Sequence, residues 1–336
     1  MDHLIDHPVI IASFVAVVVG MLGLDLGLFN RKSHAITNRE ALVWSVVWIS
    51  LSMLFSVAIL VLTYPVAGME KFAQFQSAYW IEKALSVDNL FVFILVFTFF
   101  KVPRNYYHKV LFWGIMGALV MRGLFIFSGV RLIELTYLPE MVLFGRSVSI
   151  NLVLTLFGAF LLFAGVRSWF ADHDAEDERD FRDNPGARFI RLLFRVHPEY
   201  DRDRFFSRVD GKRVATQLLV VLAVIEFTDL VFAVDSIPAI FAIAPDDPFI
   251  LYTSNIFAIL GLRSLFFLLA NFIHMFSRLR YGLALILAFI GVKMMVAPFF
   301  HMSAILSLGV VGSILVLSIL LSILFPVPQH RVEGHG

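Results

Sequence analysis

Residues 82–90 read Glu-Lys-Ala-Leu-Ser-Val-Asp-Asn-Leu, and residues 229–237 read Asp-Leu-Val-Phe-Ala-Val-Asp-Ser-Ile. In both stretches an acid is followed six residues later by an aspartate. A valine stands directly before this aspartate, and a small polar residue stands directly after it. Each stretch lies within a long apolar run, where charged residues are rare. Because the rare charges recur, and not only Leu and Val, the pattern indicates an internal duplication.

The similarity continues beyond these two motifs. Residues 119–125, Leu-Val-Met-Arg-Gly-Leu-Phe, correspond to residues 260–266, Leu-Gly-Leu-Arg-Ser-Leu-Phe. Residues 163–167, Phe-Ala-Gly-Val-Arg, correspond to residues 289–293, Phe-Ile-Gly-Val-Lys. Three consecutive helices are therefore repeated, and an odd number of spans inverts the second copy. An inverted repeat is the arrangement with which many secondary transporters build a site at the membrane midplane.

The composition predicts one membrane domain over residues 1–336. The chain has 336 residues, 59% of them hydrophobic and 16% charged, whereas soluble domains are about one quarter charged. Its partner is therefore the lipid bilayer. The net charge of +1 gives no reason to expect a nucleic acid.

We predict an all-α, polytopic bundle of about nine transmembrane helices, because backbone groups in lipid must be satisfied within the segment. The spans are 9–29, 41–64, 78–100, 110–131, 150–170, 216–243, 250–273, 281–299 and 303–325. The repeat units are spans 3–5 and 6–8.

Basic residues alternate between the connections. One set holds Arg31, Lys32 and Arg39; Lys101, Arg104 and Lys109; ten basic residues from Arg179 to Arg213; and Arg278 with Arg280. The other set holds little beyond Lys71 and Arg146. The positive-inside rule then predicts an N-terminus outside the cell and a C-terminus in the cytoplasm.

The long cytoplasmic connection, residues 171–215, begins with an acidic run. An amphipathic helix is predicted within 187–196, with Arg188, Arg191 and Arg195 on one face. The pattern suits either an interfacial helix on the inner leaflet or a solvated loop helix. Asp210-Gly211 then predicts a hairpin between 205–209 and 212–216, because this dipeptide adopts the positive φ angles of a tight turn.

Acidic residues inside the spans need an explanation, since a charge at the bilayer centre costs at least ~2.5 kcal/mol. Either they bind a cation in a cavity, or they pair with buried bases in a lattice that fixes helix packing. The acids are Glu82, Asp88, Glu226, Asp229 and Asp235. The bases are Lys83, Arg122, Arg263 and Lys293, of which the two arginines fit the structural role best.

The available ligands favour a hard divalent cation. Cysteine is absent, and none of the ten histidines lies beside the acidic motifs, so zinc and copper lack their preferred donors. Carboxylates with Asn89, Ser236 and Thr228 suit manganese, magnesium or calcium. Pro238 has no N–H group and frees the carbonyl of Val234 as a further candidate ligand.

The spacing within each motif limits how the acids can cooperate. Six residues along a helix rotate about 600°, which leaves Glu82 and Asp88 about 120° apart around the axis. Either the helix unwinds locally, or the acids are successive stations with Asp88 and Asp235 as the central pair. Glu226 lies one turn before Asp229 on the same face. Asp25, near the inner end of the first span, is an ambiguous candidate.

These strings resemble the TerC family of integral membrane proteins, specifically its Alx-like branch. The resemblance rests on residues 81–89, 226–240 and 253–263 and extends over about residues 10–325. It implies residence in the bacterial inner membrane, manganese export or homeostasis, and an association with tellurite resistance. Carried over by motif, the implied functional acids are Glu82, Asp88, Glu226, Asp229 and Asp235.

Together these observations predict a secondary-type exporter of Mn²⁺ that works by alternating access, with protons or sodium as the coupling ion. We expect metal ligands from the five acids with Asn89 and Ser236, no prosthetic group, and Mn²⁺ as the transported ion. The alternative is a non-transporting membrane factor that supplies manganese to secreted proteins. An enzyme is not expected, since no Gly-x-Ser-x-Gly or His-Glu-x-x-His motif is present.

Overall fold

The computed structural model describes residues 8–29, 37–64, 66–139, 141–143, 146–170, 181–209, 211–245, 247–272, 279–300 and 302–324. Some side chains within these ranges lie outside the description, among them those of Asp25, Asp88 and Asp235. For these three acids only the backbone is described.

The chain is an all-α polytopic membrane protein, which confirms the predicted fold class. Its helices are α1 (Pro8–Phe29), α2 (Asn38–Thr63), α3 (Gly68–Phe99), α4 (Tyr107–Leu135), α5 (Leu152–Phe170), α6 (Pro185–Leu193), α7 (Gln217–Phe241), α8 (Pro248–Leu260), α9 (Leu262–Phe272), α10 (Leu279–Val296) and α11 (Ala304–Leu324). Single 3₁₀ turns occupy Arg104–Tyr106 and Phe181–Asp183. Antiparallel hairpins pair β1 (Met141–Leu143) with β2 (Arg146–Val148), and β3 (Phe206–Val209) with β4 (Lys212–Ala215).

In the described part of the chain, six helical segments are long and apolar enough to cross a membrane. They are Asn38–Thr63, Arg104–Leu135, Leu152–Phe170, Gln217–Phe241, Pro248–Ala270 and Ala304–Leu324. Ile11–Gly20 and Tyr281–Val296 are shorter apolar helices. Helix α3 has 32 residues, but Glu82 and Lys83 interrupt its apolar run. The number of nine spans and their orientation therefore stay predictions.

Helix α3 lies at the centre of the bundle and contacts α2, α7, α8 and α11. Helix α4 packs against α7 and α8. Three of these helices carry charges that the sequence singled out: Glu82 and Lys83 are on α3, Arg122 is on α4, and Glu226 and Asp229 are on α7. Helix packing thus brings the two acidic motifs to one region.

The crossing of α5 and α10 is very close. A Cβ atom on Gly165 would lie 2.7 Å from the carbonyl oxygen of Ala284 and 2.7 Å from the amide nitrogen of Ala288. A Cβ atom on Gly291 would lie 2.6 Å from the carbonyl oxygen of Gly158 and 2.6 Å from the amide nitrogen of Leu162. Residues nearer the end of α5 contact residues nearer the start of α10, so the two helices run antiparallel.

These contacts are reciprocal under the predicted repeat. When residues 163–167 are aligned with 289–293, Gly165 corresponds to Gly291, Gly158 to Ala284 and Leu162 to Ala288. Gly165 packs on Ala284 and Ala288. Their counterparts in the alignment are Gly158 and Leu162, which are the residues on which Gly291 packs. An inverted repeat requires such two-way symmetry, while the repeat itself stays a prediction.

The connection between α5 and α7 contains the short helix α6 and the hairpin of β3 and β4. Pro185 occupies the first helical position of α6, and the Asn184 side chain accepts a hydrogen bond from the Gly186 N–H at 2.9 Å. Gly186 lies directly against the backbone of Ala223 on α7. Phe189 stays exposed near the arginines of this helix, so the interfacial and solvated interpretations both remain open.

The same connection is held to the start of α4. Lys109 donates a hydrogen bond to Asp203 at 3.1 Å, and this contact holds the pKa of the Asp203 carboxyl below its usual value. The Tyr200 hydroxyl donates to the carbonyl oxygen of Phe100 at 2.8 Å, and burial raises the pKa of this hydroxyl. These contacts fix the connection to one end of the bundle.

Candidate ion site

Arg122 joins the two acidic motifs. Its Nη1 donates a hydrogen bond to Glu82 Oε1, and its Nη2 donates to Asp229 Oδ1 at 3.2 Å. The side chains of Arg122 and Glu82 are 1% and 0% exposed. Glu82 and Asp229 are the first acids of their motifs, so one guanidinium pairs with a carboxylate from each of the two predicted repeat units. One positive charge for two carboxylates leaves this cluster with an excess of negative charge.

The cluster retains polar atoms that no described residue satisfies. Glu82 Oε2 and Arg122 Nε are buried and have no hydrogen-bond partner among the described residues. The hydroxyl of Ser86 approaches the other oxygen, Glu82 Oε1, at 3.5 Å. An unpaired carboxylate oxygen inside a membrane protein is costly. This oxygen is accordingly the best candidate in the cluster for contact with a cation.

Glu226 extends the group along α7. Its carboxylate lies against Gly117 of α4, where any larger residue would collide with it. Glu226 is half-buried and precedes Asp229 by one turn on the same face. Sequence reasoning missed Gly117, although the run Gly114, Gly117 and Ala118 on one side of α4 is a signal of close approach.

A narrow, partly open cavity reaches this region. Its walls are mostly apolar and come from α3, α4, α7, α8 and α9, and its charged lining residues are Asp229 and Arg263. Leu90 and Phe93 of α3 with Leu111 of α4 place the cavity in the half of the bundle toward the α3–α4 connection. Asp229 is therefore the acid of the cluster that borders open space.

The polar residues proposed as neutral ligands are differently placed. Asn89 and Ser236 are buried, and the Ser236 hydroxyl has no hydrogen-bond partner in the described part of the structure. The Thr228 hydroxyl donates a hydrogen bond to the Val224 carbonyl oxygen at 2.7 Å. This hydroxyl group therefore already has a partner within its own helix. Pro238 lies inside α7, as the hypothesis of a freed Val234 carbonyl requires.

The remaining predicted acids lie on these helices, but their side chains are outside the description. Asp88 is on α3, Asp235 on α7 and Asp25 on α1. Among the described residues, no three His, Cys, Asp or Glu side chains form a group that could hold a metal ion. The predicted ligand set of Glu82, Asp88, Asn89, Glu226, Asp229, Asp235 and Ser236 thus stays a prediction.

Helices α3 and α7 are continuous through both motifs. The alternative of local unwinding at the acids is therefore wrong for the backbone of these helices. The alternative of successive stations stays a prediction, because the side chains of Asp88 and Asp235 lie outside the description. An interruption occurs elsewhere, at Gly261 between α8 and α9, inside the segment Pro248–Ala270 that is long and apolar enough to cross a membrane.

Lys83 lies at that interruption. Its ammonium donates a hydrogen bond to the carbonyl oxygen of Ala258 at 3.2 Å. A Cβ atom on Gly261 would lie 2.6 Å from Lys83 Nζ, so the absence of a side chain there makes room for the ammonium. Lys83 therefore contacts the carbonyl end of α8, whereas its neighbour Glu82 contacts Arg122.

The fold and this cluster define a class of protein: a polytopic α-helical membrane protein that holds ionisable side chains from several helices inside its bundle. Comparison with known sequences gives the family. The profile described as "Integral membrane protein TerC family" matches residues 67–329, which is most of the chain. The chain belongs to the TerC family, and the resemblance inferred from its motifs is confirmed.

Close relatives cover nearly the whole chain. The chain is 44% identical over 324 residues to the Escherichia coli (strain K12) protein named "Putative membrane-bound redox modulator Alx", covering 95% of both chains. It is 41% identical over 324 residues to the "Uncharacterized membrane protein STKORF319" of Myxococcus xanthus, covering 95% of this chain and 93% of the relative. No solved structure matches the chain.

Proposed function

We propose that this protein is a secondary-type exporter of Mn²⁺ with a carboxylate site inside the membrane. The observation that carries the proposal is the pairing of Glu82 and Asp229 on the single guanidinium of Arg122. Carboxylates from both motifs meet there, with one carboxylate oxygen unpaired. Oxygen donors of this kind suit hard divalent cations, and membership of the TerC family favours manganese among them.

Arg122 supplies positive charge to this group when no metal is bound. A divalent cation that approaches through the cavity would first meet Asp229, which borders it. Glu226, one turn along α7, provides a second carboxylate on the same face. In this mechanism the metal weakens the contact between Asp229 and Arg122, and the displaced charge favours the opposite arrangement of the two repeat units.

A flux assay with purified protein in vesicles tests the proposal. Asp88→Asn and Asp235→Asn should each abolish manganese flux while the protein stays folded, because each change removes a charge and almost no volume. Asp203→Asn is the matched control, since Asp203 is an exposed acid in the connection and should leave flux unchanged. Normal flux in either membrane variant would remove the central pair from the mechanism.

The same assay separates the alternative function. A membrane factor that supplies manganese to secreted proteins would bind the metal without carrying it across vesicles. The name of the Escherichia coli relative refers to redox modulation, but this chain contains no cysteine, so a thiol–disulfide reaction of its own side chains is excluded. Manganese binding without flux in the wild-type protein would favour the supply role.

Metal binding should depend on pH. A divalent cation requires ionised carboxylates, so loading releases protons and affinity should rise from mildly acidic to mildly alkaline pH. Binding measured in detergent over this range tests the expectation, and flux with and without a protonophore tests proton coupling. An affinity that does not change with pH would contradict carboxylate ligands, whereas indifference to the protonophore would contradict proton coupling alone.

A further inference from the structure

The interruption between α8 and α9 places backbone carbonyls inside the bundle. Helix α8 ends at Leu260, and α9 begins at Leu262 after Gly261. The last carbonyls of a helix carry partial negative charge and lack their usual partners. Interrupted helices in transporters use such carbonyl ends to coordinate cations. The end of α8 therefore has the chemistry of a monovalent-cation site.

The ammonium of Lys83 occupies this position. Lys83 is 7% exposed, and its Nζ contacts the carbonyl oxygen of Ala258 at 3.2 Å. None of the ion pairs among the described side chains includes Lys83. The polar contact described for this buried ammonium is thus a neutral carbonyl oxygen. An alkali cation would be coordinated by the same kind of oxygen.

A second oxygen donor lies nearby on α8. Asn255 precedes Ala258 by three residues and therefore lies on the same face of the helix. It is 1% exposed, and neither its Oδ1 nor its Nδ2 has a hydrogen-bond partner among the described residues. This buried amide oxygen, one turn before Ala258 on the same face of α8, adds to the oxygen-donor character of this position.

We propose that the carbonyl end of α8 is a monovalent-cation site that the chain fills permanently with the ammonium of Lys83. The tethered cation makes the folded protein independent of sodium at this position. Sodium then has no role here as a coupling ion. The inference goes beyond the proposed function, because it does not depend on which metal is exported or on export itself.

Removal of the ammonium should open the site to sodium. We would compare thermal unfolding of the purified full chain in sodium chloride and in choline chloride at equal ionic strength. The wild-type midpoint should be the same in both salts. The midpoint of Lys83→Ala should be higher in sodium by on the order of 3 °C once sodium is well above its dissociation constant.

Two variants serve as controls. Lys83→Arg keeps a cation and should respond to sodium no more than the wild type. Lys71→Ala removes another lysine of α3, which pairs with Asp247 at 2.6 Å, and should lose stability equally in both salts. A sodium response confined to Lys83→Ala would support the proposal.

Equal midpoints of Lys83→Ala in the two salts would overturn it. Where Lys83→Ala does not survive purification, Lys83→Met replaces it with a side chain of similar length. Recovery of folded protein only in sodium supports the proposal, and loss in both salts overturns it. No manganese is present in these measurements, so a negative result would not contradict the proposed export. An absence of manganese flux would likewise not contradict the proposed monovalent-cation site.

Discussion

Arg122 illustrates what single residues of this sequence predict. Its position in an apolar run predicted a buried structural role, and the side chain is 1% exposed between two acids. Its partners could not be predicted, because any of five acids was available and helix packing decides which of them face α4. Sequence reasoning likewise placed Lys83 among bases that could pair with acids, whereas in the structure it contacts a backbone carbonyl.

Arg122→Ala should destabilise the protein by about 3–5 kcal/mol, since two buried carboxylates would lose their shared counter-ion. Arg131→Ala is a matched control on the same helix: its side chain is 81% exposed and pairs with Glu134, so its removal should cost less than about 1 kcal/mol. Denaturation of both purified variants measures the difference. If Arg122→Ala remains as stable as the control but loses flux, the arginine belongs to the transport mechanism rather than to the scaffold.

At the level of elements, the periodic apolar runs predict where helices lie but not how closely they approach. Gly165 and Gly291 were part of the repeat alignment, yet only the fold shows that each meets a backbone of the other helix. The hairpin of β1 and β2 was missed, because three-residue strands carry almost no periodic signal. The interruption at Gly261 was missed because a single glycine in an apolar run is common in membrane helices.

Gly291→Ala should destabilise the protein by about 1–3 kcal/mol. The added methyl group would meet backbone atoms of Gly158 and Leu162 at 2.6 Å, and a backbone cannot move aside as a flexible side chain can. Gly309→Ala on α11 is the control, because nothing lies within 4 Å of its added methyl group. It should be neutral or slightly stabilising, as alanine favours helix over glycine. Thermal unfolding that ranks the two variants equally would contradict the close crossing.

The whole molecule has different contacts at its two ends. Toward the start of α3, Lys71 and Asp247 form an ion pair at 2.6 Å, and Asp247 also accepts a hydrogen bond from the Ile250 N–H. Toward the end of α3, the open cavity extends to Asp229. Composition predicted the membrane class, but this asymmetry depends on contacts between distant helices that no local pattern encodes.

Removal of the ion pair should shift the molecule toward opening at the Lys71 end. The chain has no cysteine, so a single Thr253→Cys reporter, buried on α8, can be labelled without background. Adding Lys71→Ala should accelerate its labelling by a water-soluble thiol reagent about fivefold or more, the effect of roughly 1 kcal/mol. Lys109→Ala, which removes a Lys–Asp pair at the opposite end, should not accelerate the labelling. Equal labelling rates would show that the Lys71–Asp247 pair does not restrain opening.

The contacts of Arg122 also set an order for biosynthesis. Glu82 precedes Arg122 by 40 residues, whereas Asp229 follows it by 107. At about 5–20 residues per second, the ribosome needs roughly 5–20 s to make the intervening chain. During that interval Glu82 is the one of these two partners that has already been synthesised, and we expect the α3–α4 pair to enter the bilayer with these two charges matched. Helix α7 is synthesised later, and its Asp229 supplies the second carboxylate to this guanidinium. We therefore expect the charged side chains to enter the membrane in successive steps, each partly neutralised by an earlier partner.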